Sequence, residues 1–316
     1  MGKKLNRFIV LTGISFTAIH FINKILNYTA TLKNLTEPGN DFFYEFRYGK
    51  IHYKKTGSGD PILFIHDLDS TSSTFEWSHI IKNYEKTNTV YCIDLLGCGH
   101  SAKPKMIYTN YLYVQLLSDF IRDVIKEKPY IVSSGLSTSF SIMYANMYKD
   151  SIQKLILVNP VDLKLLANMP TLKTKFQKAI LDLPIIGTFI YNILVHESRI
   201  NSVFEKKYYY KSSLISSKFE DIYFESAHIG NGDGRYLLSS IISNYLNTNI
   251  VHALDQLPAL YIIESRNLKD NLSTINQYIS YNNKIETAYL SNSSYLPQLE
   301  NPNKFVDVLN MFLRDS

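Results

Sequence analysis

A short serine-containing turn is the feature of this 316-residue sequence best suited to chemistry. The segment GLSTS at residues 135–139 stands between a predicted buried strand, YIVSS, and an apolar helical stretch, FSIMYANMY. A serine on a sharp strand-to-helix turn exposes its hydroxyl at the carboxyl edge of a sheet, and small neighbours are needed because the turn is strained and crowded. Ser137 is therefore the candidate nucleophile. The segment follows the pattern G-x-S-x-G up to its last position, where Ser139 replaces glycine.

Strand and helix signals alternate from residue 42 onward and predict the sheet that would position this serine. FFYEF and IHYKKTG are typical of an antiparallel hairpin. The segments PILFIHD, TVYCIDL, YIVSSG, KLILVNP and ALYIIES are buried-strand candidates, and TAYLSNS is a weaker last one. Strands that are apolar on both faces are typical of a parallel sheet covered by helices. The sequence therefore predicts an α/β fold.

A long stretch without convincing core strands interrupts this alternation. Residues 161–256 are rich in Lys, Ser, Leu and Tyr, and they include LLSSIISNYL at helical spacing. Two interpretations stay open: a helical lid over a ligand crevice, and a solvated helical hairpin without a ligand role. The expected domains are an N-terminal segment of residues 1–36, a core formed by 37–160 and 257–316, and this insertion.

Composition and charge exclude several classes of function. Hydrophobic residues make up 45% of the chain and charged residues 19%, which is typical of a folded globular protein. The net charge of +5 arises in residues 1–36, which hold five basic residues and no acid, so the neutral remainder offers no electrostatic footprint for nucleic acid. The chain has two cysteines, which excludes a disulfide framework and a four-Cys zinc site. Without metal-ligand spacing or a dinucleotide fingerprint, we expect no metal and no cofactor.

An apolar run follows the basic head of the chain. Residues 8–22, FIVLTGISFTAIHFI, are fewer than the about 20 residues that a membrane-spanning helix needs, and the run contains polar side chains such as Thr12 and His20. Three interpretations stay open: a membrane-associated helix, a helix packed on its own domain, and a cleaved secretion signal. The expected location is accordingly membrane-associated or cytoplasmic.

Three further segments supply a context for the serine turn. FIHD at 64–67 ends a strand, DLLGCGHSAKP at 94–104 fits D-x-x-G-x-G-x-S-x-x-P after the next strand, and LILVNP at 155–160 follows the helix after the turn. Together with GLSTS, these segments resemble the α/β-hydrolase superfamily over residues 42–316. The resemblance implies an eight-stranded, mostly parallel sheet with helices on both faces, a helical lid after the sixth strand, and a serine-hydrolase site.

The resemblance also implies a triad of serine, acid and histidine in that chain order, and the sequence departs from it. The acid position falls at or beside Asn267, and the histidine of the closing motif G-H-x-P-x-x-E-x-P corresponds to Tyr295 in SYLPQLENP. A tyrosine with an ordinary pKa of about 10 is a poor base at neutral pH. Asp162, just after the sixth strand, is an alternative acid, and His228 in SAHIGNGDG is the candidate for a relocated base.

The loop that would hold an oxyanion is altered as well. Where the family usually has His-Gly, this chain has His66-Asp67, and a carboxylate beside a developing oxyanion would oppose it electrostatically. The N–H groups of Leu68 and Thr138 are the expected oxyanion donors. His66 is expected to bond its own loop, and Trp77 is expected either to line the pocket or to belong to the core.

Two functions are compatible with these residues. The first is a catalytically impaired hydrolase homologue that binds a small apolar or acyl ligand, or a protein partner, under its lid. The second is an active carboxylic-ester or acyl hydrolase in which a relocated base such as His228 takes the proton from Ser137. The second function requires an imidazole nitrogen within about 2.6–3.2 Å of the Ser137 hydroxyl.

Overall fold

One eight-stranded sheet forms the centre of the molecule. In the computed structural model, residues 2–37, 39, 41–265 and 271–314 are described. The strands are β1 (Phe42–Phe46), β2 (Gly49–Gly57), β3 (Asp60–Ile65), β4 (Asn88–Ile93), β5 (Tyr130–Ser134), β6 (Leu155–Val158), β7 (Leu260–Ser265) and β8 (Ile285–Leu290). Their order is β1-β2-β4-β3-β5-β6-β7-β8. Strand β2 runs antiparallel to both its neighbours, β1 and β4, and all the other pairs are parallel.

Both faces of the sheet are buried, as the apolar strands predicted. Along β3, Leu63 and Ile65 belong to one hydrophobic cluster, whereas Ile62 and Phe64 belong to the cluster on the opposite face. Successive side chains of a strand point to opposite faces, so a strand covered on both sides must be apolar throughout. The α/β fold class and the mostly parallel eight-stranded sheet are confirmed.

Helices cover the sheet and fill the long insertion. The helices are α1 (Gly2–Ala30), α2 (Ile81–Tyr84), α3 (Asn110–Phe120), α4 (Ser137–Met147), α5 (Leu163–Leu166), α6 (Leu172–Leu181), α7 (Ile186–Leu194), α8 (Glu197–Val203), α9 (Ser217–His228), α10 (Arg235–Ile242), α11 (Val251–Asp255), α12 (Asn271–Tyr281), α13 (Pro297–Glu300) and α14 (Pro302–Arg314). Short 3-10 or π turns occur at Thr74–Trp77, Ile121–Ile125, Phe204–Tyr208 and Ser212–Leu214.

The insertion between β6 and β7 consists of helices α5 to α11 and the turns between them. An aromatic cluster joins it to the core: Phe204, Tyr208 and Tyr223 pack with Leu296 and Leu299, which follow β8. Aromatic residues bury large areas and give strong, geometrically specific contacts. The insertion is therefore anchored where the chain leaves the last strand.

The N-terminal helix α1 contacts helices α7 and α9 of the insertion. The amide of Asn23 donates to the carbonyl of Ile185 at 2.9 Å, and Asn192 donates to the side-chain oxygen of Asn23 at 3.2 Å. Within the described residues, no helix combines the length and the apolar character that crossing a membrane requires.

Candidate functional site

The sharp turn after β5 is centred on Gly135. This residue has φ +57°, in the left-handed region, whereas Ser137 is already the first residue of helix α4. In a nucleophile elbow, the side chain at the strained residue is the one that stands exposed above the sheet edge. Ser137 is instead fully buried, and its hydroxyl donates to the carbonyl of His66 at 2.6 Å. The structure thus corrects the expected position: the strained residue lies two places before Ser137 and has no side chain.

The carboxylate of Asp67 occupies the space above Gly135. A Cβ added to Gly135 would overlap the Asp67 carboxylate and the hydroxyl of Tyr295. The Oδ1 atom of Asp67 accepts from the N–H of Leu136 at 2.8 Å, and its Oδ2 atom accepts from the Tyr295 hydroxyl at 2.8 Å. Asp67 is only 6% exposed. A buried carboxylate therefore fills the position from which a nucleophile would act.

One of the two expected oxyanion donors, Thr138, is also displaced. The donor next to the strained residue is the N–H of Leu136, and it already bonds the Asp67 carboxylate. The N–H of Thr138 donates to the carbonyl of Gly135 at 3.3 Å, within the first turn of α4. Leu68 is buried at 2% exposure. Thr138 is thus corrected as an oxyanion donor, because the strained residue precedes it by three positions.

Tyr295 stands where the family's histidine would act, and the structure brings it to the elbow. Its ring stacks on Tyr208, with centroids 5.6 Å apart, and the ammonium of Lys207 lies 3.9 Å from the ring centroid. Burial and the Asp67 carboxylate raise the pKa of Tyr295 well above its usual value. Tyr295 is therefore a hydrogen-bond donor to Asp67 at all ordinary pH values and not a base.

Of the two acid candidates, Asn267 at the acid position and the alternative Asp162, the structure describes one. Asn267 lies outside the described residues. Asp162 caps helix α5: its Oδ1 accepts from the N–H of Lys164 at 2.7 Å, and its Oδ2 accepts from the amide of Gln277 at 3.1 Å. Asp162 therefore has a helix-capping role.

His66 is held in one neutral tautomer inside the loop. Its Nε2 atom accepts from the N–H of Leu95 at 3.0 Å, so Nδ1 carries the proton and donates to the carbonyl of Asp67 at 2.6 Å. Burial lowers the pKa of His66. The side chain fixes the loop that carries Asp67, as the sequence predicted.

The side chain of His228 is bonded within its own helix. His228 ends helix α9, its Nδ1 donates to the carbonyl of Phe224 at 2.7 Å, and burial lowers its pKa. It lines a cavity of about 720 Å³ that also includes Lys24 and Tyr28 of α1. The relocated-base hypothesis is corrected: the Ser137 hydroxyl bonds a main-chain carbonyl, and His228 faces the N-terminal helix.

Trp77 belongs to the core. It is fully buried, and its ring packs against Phe64, with centroids 5.0 Å apart, and against Phe305 at 6.2 Å. Of the two expected roles for Trp77, the structure gives the packing role. Beside the core residue Trp77, the carboxylate of Asp67 reaches the elbow, and the His66 side chain bonds the loop that carries Asp67.

A second carboxylate, Glu76, underlies Asp67. Its Oε2 atom accepts from the N–H of Asp67 at 3.0 Å, and its Oε1 atom accepts from the hydroxyl of Tyr223 at 3.2 Å. Burial and the nearby charge of Asp67 raise the pKa of Glu76 to about 8. Glu76 therefore binds a proton in the folded protein at neutral pH.

Glu76 makes the stability of the fold depend on pH. An unfolded Glu ionises near pH 4.3, so the proton that Glu76 holds stabilises the folded state fully below about pH 4, and this contribution is lost as the pH rises toward 8. Between pH 5 and pH 8, we expect the free energy of unfolding, measured with urea, to decrease less for Glu76→Gln than for the unchanged protein. An equal loss in the two proteins would contradict a raised pKa at Glu76.

A cavity of about 290 Å³ lies between the core and the insertion, beside Tyr208 and Tyr223. Aliphatic residues of the insertion line it, namely Leu194, Val195, Ile200, Val203, Leu238 and Ile242. Its polar boundary consists of residues 69–71 from the core and of Arg199, Lys207, Tyr208 and Tyr223 from the insertion. Within the described part of the chain, no group of three His, Cys, Asp or Glu side chains could hold a metal ion.

Sequence reasoning missed Gly135, Glu76, Tyr208 and Tyr223. One signal for Gly135 was available: SSGLS at residues 133–137 has small residues on both sides of Gly135, so the elbow pattern also fits with Gly135 at its centre. The other three residues lie 9 to 156 positions from Asp67 along the chain, and local patterns cannot pair them.

Comparisons with known proteins agree with the fold. A family profile described as "alpha/beta hydrolase fold" matches residues 60–186. An uncharacterized protein of Mycobacterium tuberculosis is 30% identical over 107 residues, which are 34% of this chain and 31% of that protein. Epoxide hydrolase 1 of Caenorhabditis elegans is 29% identical over 132 residues, 40% of this chain and 32% of that protein. The chain spans about a third of the length of the curated relatives it matches.

Solved structures resemble most or all of the chain. The crystal structure of a membrane phospholipase A superposes with a TM-score of 0.68 at 14% identity and full coverage of both chains. The epoxide hydrolase CorEH gives a TM-score of 0.69 at 15% identity, over 86% of this chain and 98% of that chain. Together with the sheet order, these matches show that the chain has the α/β-hydrolase fold.

Proposed function

We propose that this protein is a catalytically silent α/β-hydrolase homologue that binds a small apolar or acyl ligand beneath its helical insertion, which acts as a lid. One observation carries the proposal: the strained residue of the elbow is Gly135, and the carboxylate of Asp67 fills the place of the nucleophile. Hydrolysis by this fold needs an activated nucleophile and free oxyanion donors. At this elbow the residue in the position of the nucleophile is Gly135, which has no side chain, and the N–H of Leu136 already donates to the Asp67 carboxylate.

The 290 Å³ cavity supports the choice of ligand. Its volume is at the lower end of ordinary small-molecule sites, which span about 300–1,000 Å³. Aliphatic side chains line most of it and favour an apolar chain. The cations of Arg199 and Lys207 at its boundary favour a carboxylate or carbonyl end. These features fit a short acyl compound better than a large polar one.

Catalytic silence is tested with a fluorophosphonate probe and 4-nitrophenyl butyrate. We expect the full chain to show no labelling, and no hydrolysis above that of the Ser137→Ala variant, because the Ser137 hydroxyl is buried and bonded to His66. Labelling at Ser137 that the alanine variant abolishes would overturn the proposal and restore an active ester hydrolase with a base yet to be found.

Ligand binding is tested with octanoate by titration calorimetry. We expect octanoate to bind the full chain and the Val203→Trp variant to bind it at least tenfold more weakly, because an indole at residue 203 would fill the cavity. Val251→Trp is the matched control, since Val251 is partly exposed and lies outside the lining of this cavity. Equal affinity of both variants would place the ligand elsewhere and contradict the proposed site.

A further inference from the structure

Helix α1 packs against the rest of the protein partly through polar side chains. Asn23 and Asn27 are 5% and 6% exposed, and Ala30 is 7% exposed. These three residues are spaced four and three apart, so they lie on one face of the helix. Asn23 bonds across the contact to Ile185 and Asn192. The face of α1 that is packed against the insertion therefore includes two buried amides.

The opposite face of α1 is apolar and exposed. Ile14, Ala18, Phe21, Ile25 and Tyr28 are spaced four, three, four and three apart and share this face. Phe21 is 58% exposed, Ile25 60% and Tyr28 68%. A helix that packs on a globular domain buries its apolar face and exposes its polar one. Helix α1 does the reverse, and a contiguous apolar surface of this kind marks an interaction site.

The charge around α1 indicates what covers this face. The first 36 residues contain Lys3, Lys4, Arg7, Lys24 and Lys33 and no acidic residue. Such a segment is attracted to an anionic lipid surface, at about 1 kcal/mol per basic residue close to it. A second copy of the helix, which spans Gly2–Ala30, would bring four further cations to the same place. Like charges therefore disfavour pairing of two α1 helices through this face.

We propose that α1 docks lengthwise on the surface of an anionic membrane, with the face formed by Ile14, Ala18, Phe21, Ile25 and Tyr28 at the boundary between headgroups and acyl chains. The opposite face stays packed on the insertion, so the helix lies along the membrane plane. Burial of the two large side chains Phe21 and Ile25 supplies the apolar part of the binding, and the basic residues supply the part that salt screens.

The test is co-sedimentation of the full-length protein with vesicles. We expect binding to vesicles that contain phosphatidylglycerol, and at least tenfold weaker partitioning onto pure phosphatidylcholine vesicles and in 0.5 M salt. The double variant Phe21→Asp/Ile25→Asp is expected to lower partitioning at least tenfold. Both side chains are exposed, so circular dichroism and the melting temperature should not change.

The matched control is Phe43→Asp/Ile107→Asp, which changes the same residue types at 47% exposure elsewhere on the protein. This control is expected to bind as the unchanged protein does. An equal loss of vesicle binding in the two double variants would overturn the proposal. So would failure of the unchanged protein to bind anionic vesicles, or a concentration-dependent dimer that Phe21→Asp/Ile25→Asp abolishes, which would assign the face to a second copy of the chain.

Discussion

Replacing Gly135 by alanine is expected to destabilise the protein by about 3 kcal/mol or more, measured by urea unfolding. Two costs add. A non-glycine residue in the left-handed region costs about 1–3 kcal/mol. The new methyl group would also overlap the carboxylate of Asp67 and the hydroxyl of Tyr295, and neither can move without breaking a buried hydrogen bond.

A matched glycine separates the two costs. Gly230 also has a positive φ, +87°, but the atoms nearest to a Cβ there are the side-chain methylene carbons of Lys103, at 3.2 Å or more. Gly230→Ala is therefore expected to show the backbone cost alone. The double variant Gly135→Ala/Asp67→Gly should lose at least 1 kcal/mol less than the sum of its single variants. Additive losses would show that Asp67 does not fill the space above Gly135.

The second large effect is expected at Asp94, in the segment DLLGCGHSAKP. Asp94 is fully buried and accepts from three donors: Nδ1 of His52 at 2.7 Å, the N–H of Thr74 at 2.6 Å and the N–H of His100 at 2.9 Å. In Asp94→Asn, the new side-chain NH2 group would face one of these three donors, which cannot accept a hydrogen bond from it. Buried His52 would also lose its main counter-charge. Breaking such a pair costs about 3–5 kcal/mol. Exposed Asp60→Asn is the control and should be nearly neutral.

The pH dependence of the Asp94→Asn effect follows from the two pKa shifts. Burial alone would raise the pKa of Asp94, but His52 outweighs burial and holds the pKa below its usual range. The stabilisation of the fold by the Asp94 carboxylate is therefore lost as the pH falls below about 4. Burial alone would lower the pKa of His52, but the carboxylates of Asp94 and Asp41 raise it. The imidazolium contribution is complete below about pH 6.5 and is lost as the pH rises through the raised value. The difference in unfolding free energy should therefore be largest between about pH 4 and 6.5, and a flat profile would contradict the ion pair.

The fold could be predicted from the sequence because its signals are local. Each buried strand is an apolar run, and DLLGCGHSAKP marks the loop after β4 with fixed spacing. The elbow was predicted two residues too late because GLSTS and SSGLS both present a small-x-small-x-small pattern. Only the backbone dihedral of Gly135 distinguishes the two registers. Composition and spacing do not encode that angle.

The occupant of the elbow could not be predicted, since it depends on contacts between distant segments. The sequence identified the carboxylate of Asp67 as unfavourable for an oxyanion, and it identified Tyr295 as a departure from the family's histidine. Their hydrogen bond joins residues 228 positions apart, and the support from Glu76 and Tyr223 spans 147 positions. Two departures that looked like independent losses form one bonded arrangement.

On the proposal that this elbow is silent, the arrangement also restricts which substitutions could make it catalytic. A serine introduced at Gly135 alone would collide with the Asp67 carboxylate, and glycine introduced at Asp67 alone would leave an elbow without a nucleophile and Tyr295 without its acceptor. Neither single change is expected to give an intermediate that is both stable and active. On that proposal, hydrolysis at this elbow requires at least two coupled substitutions, and the effect of each substitution depends on the other, which is epistasis.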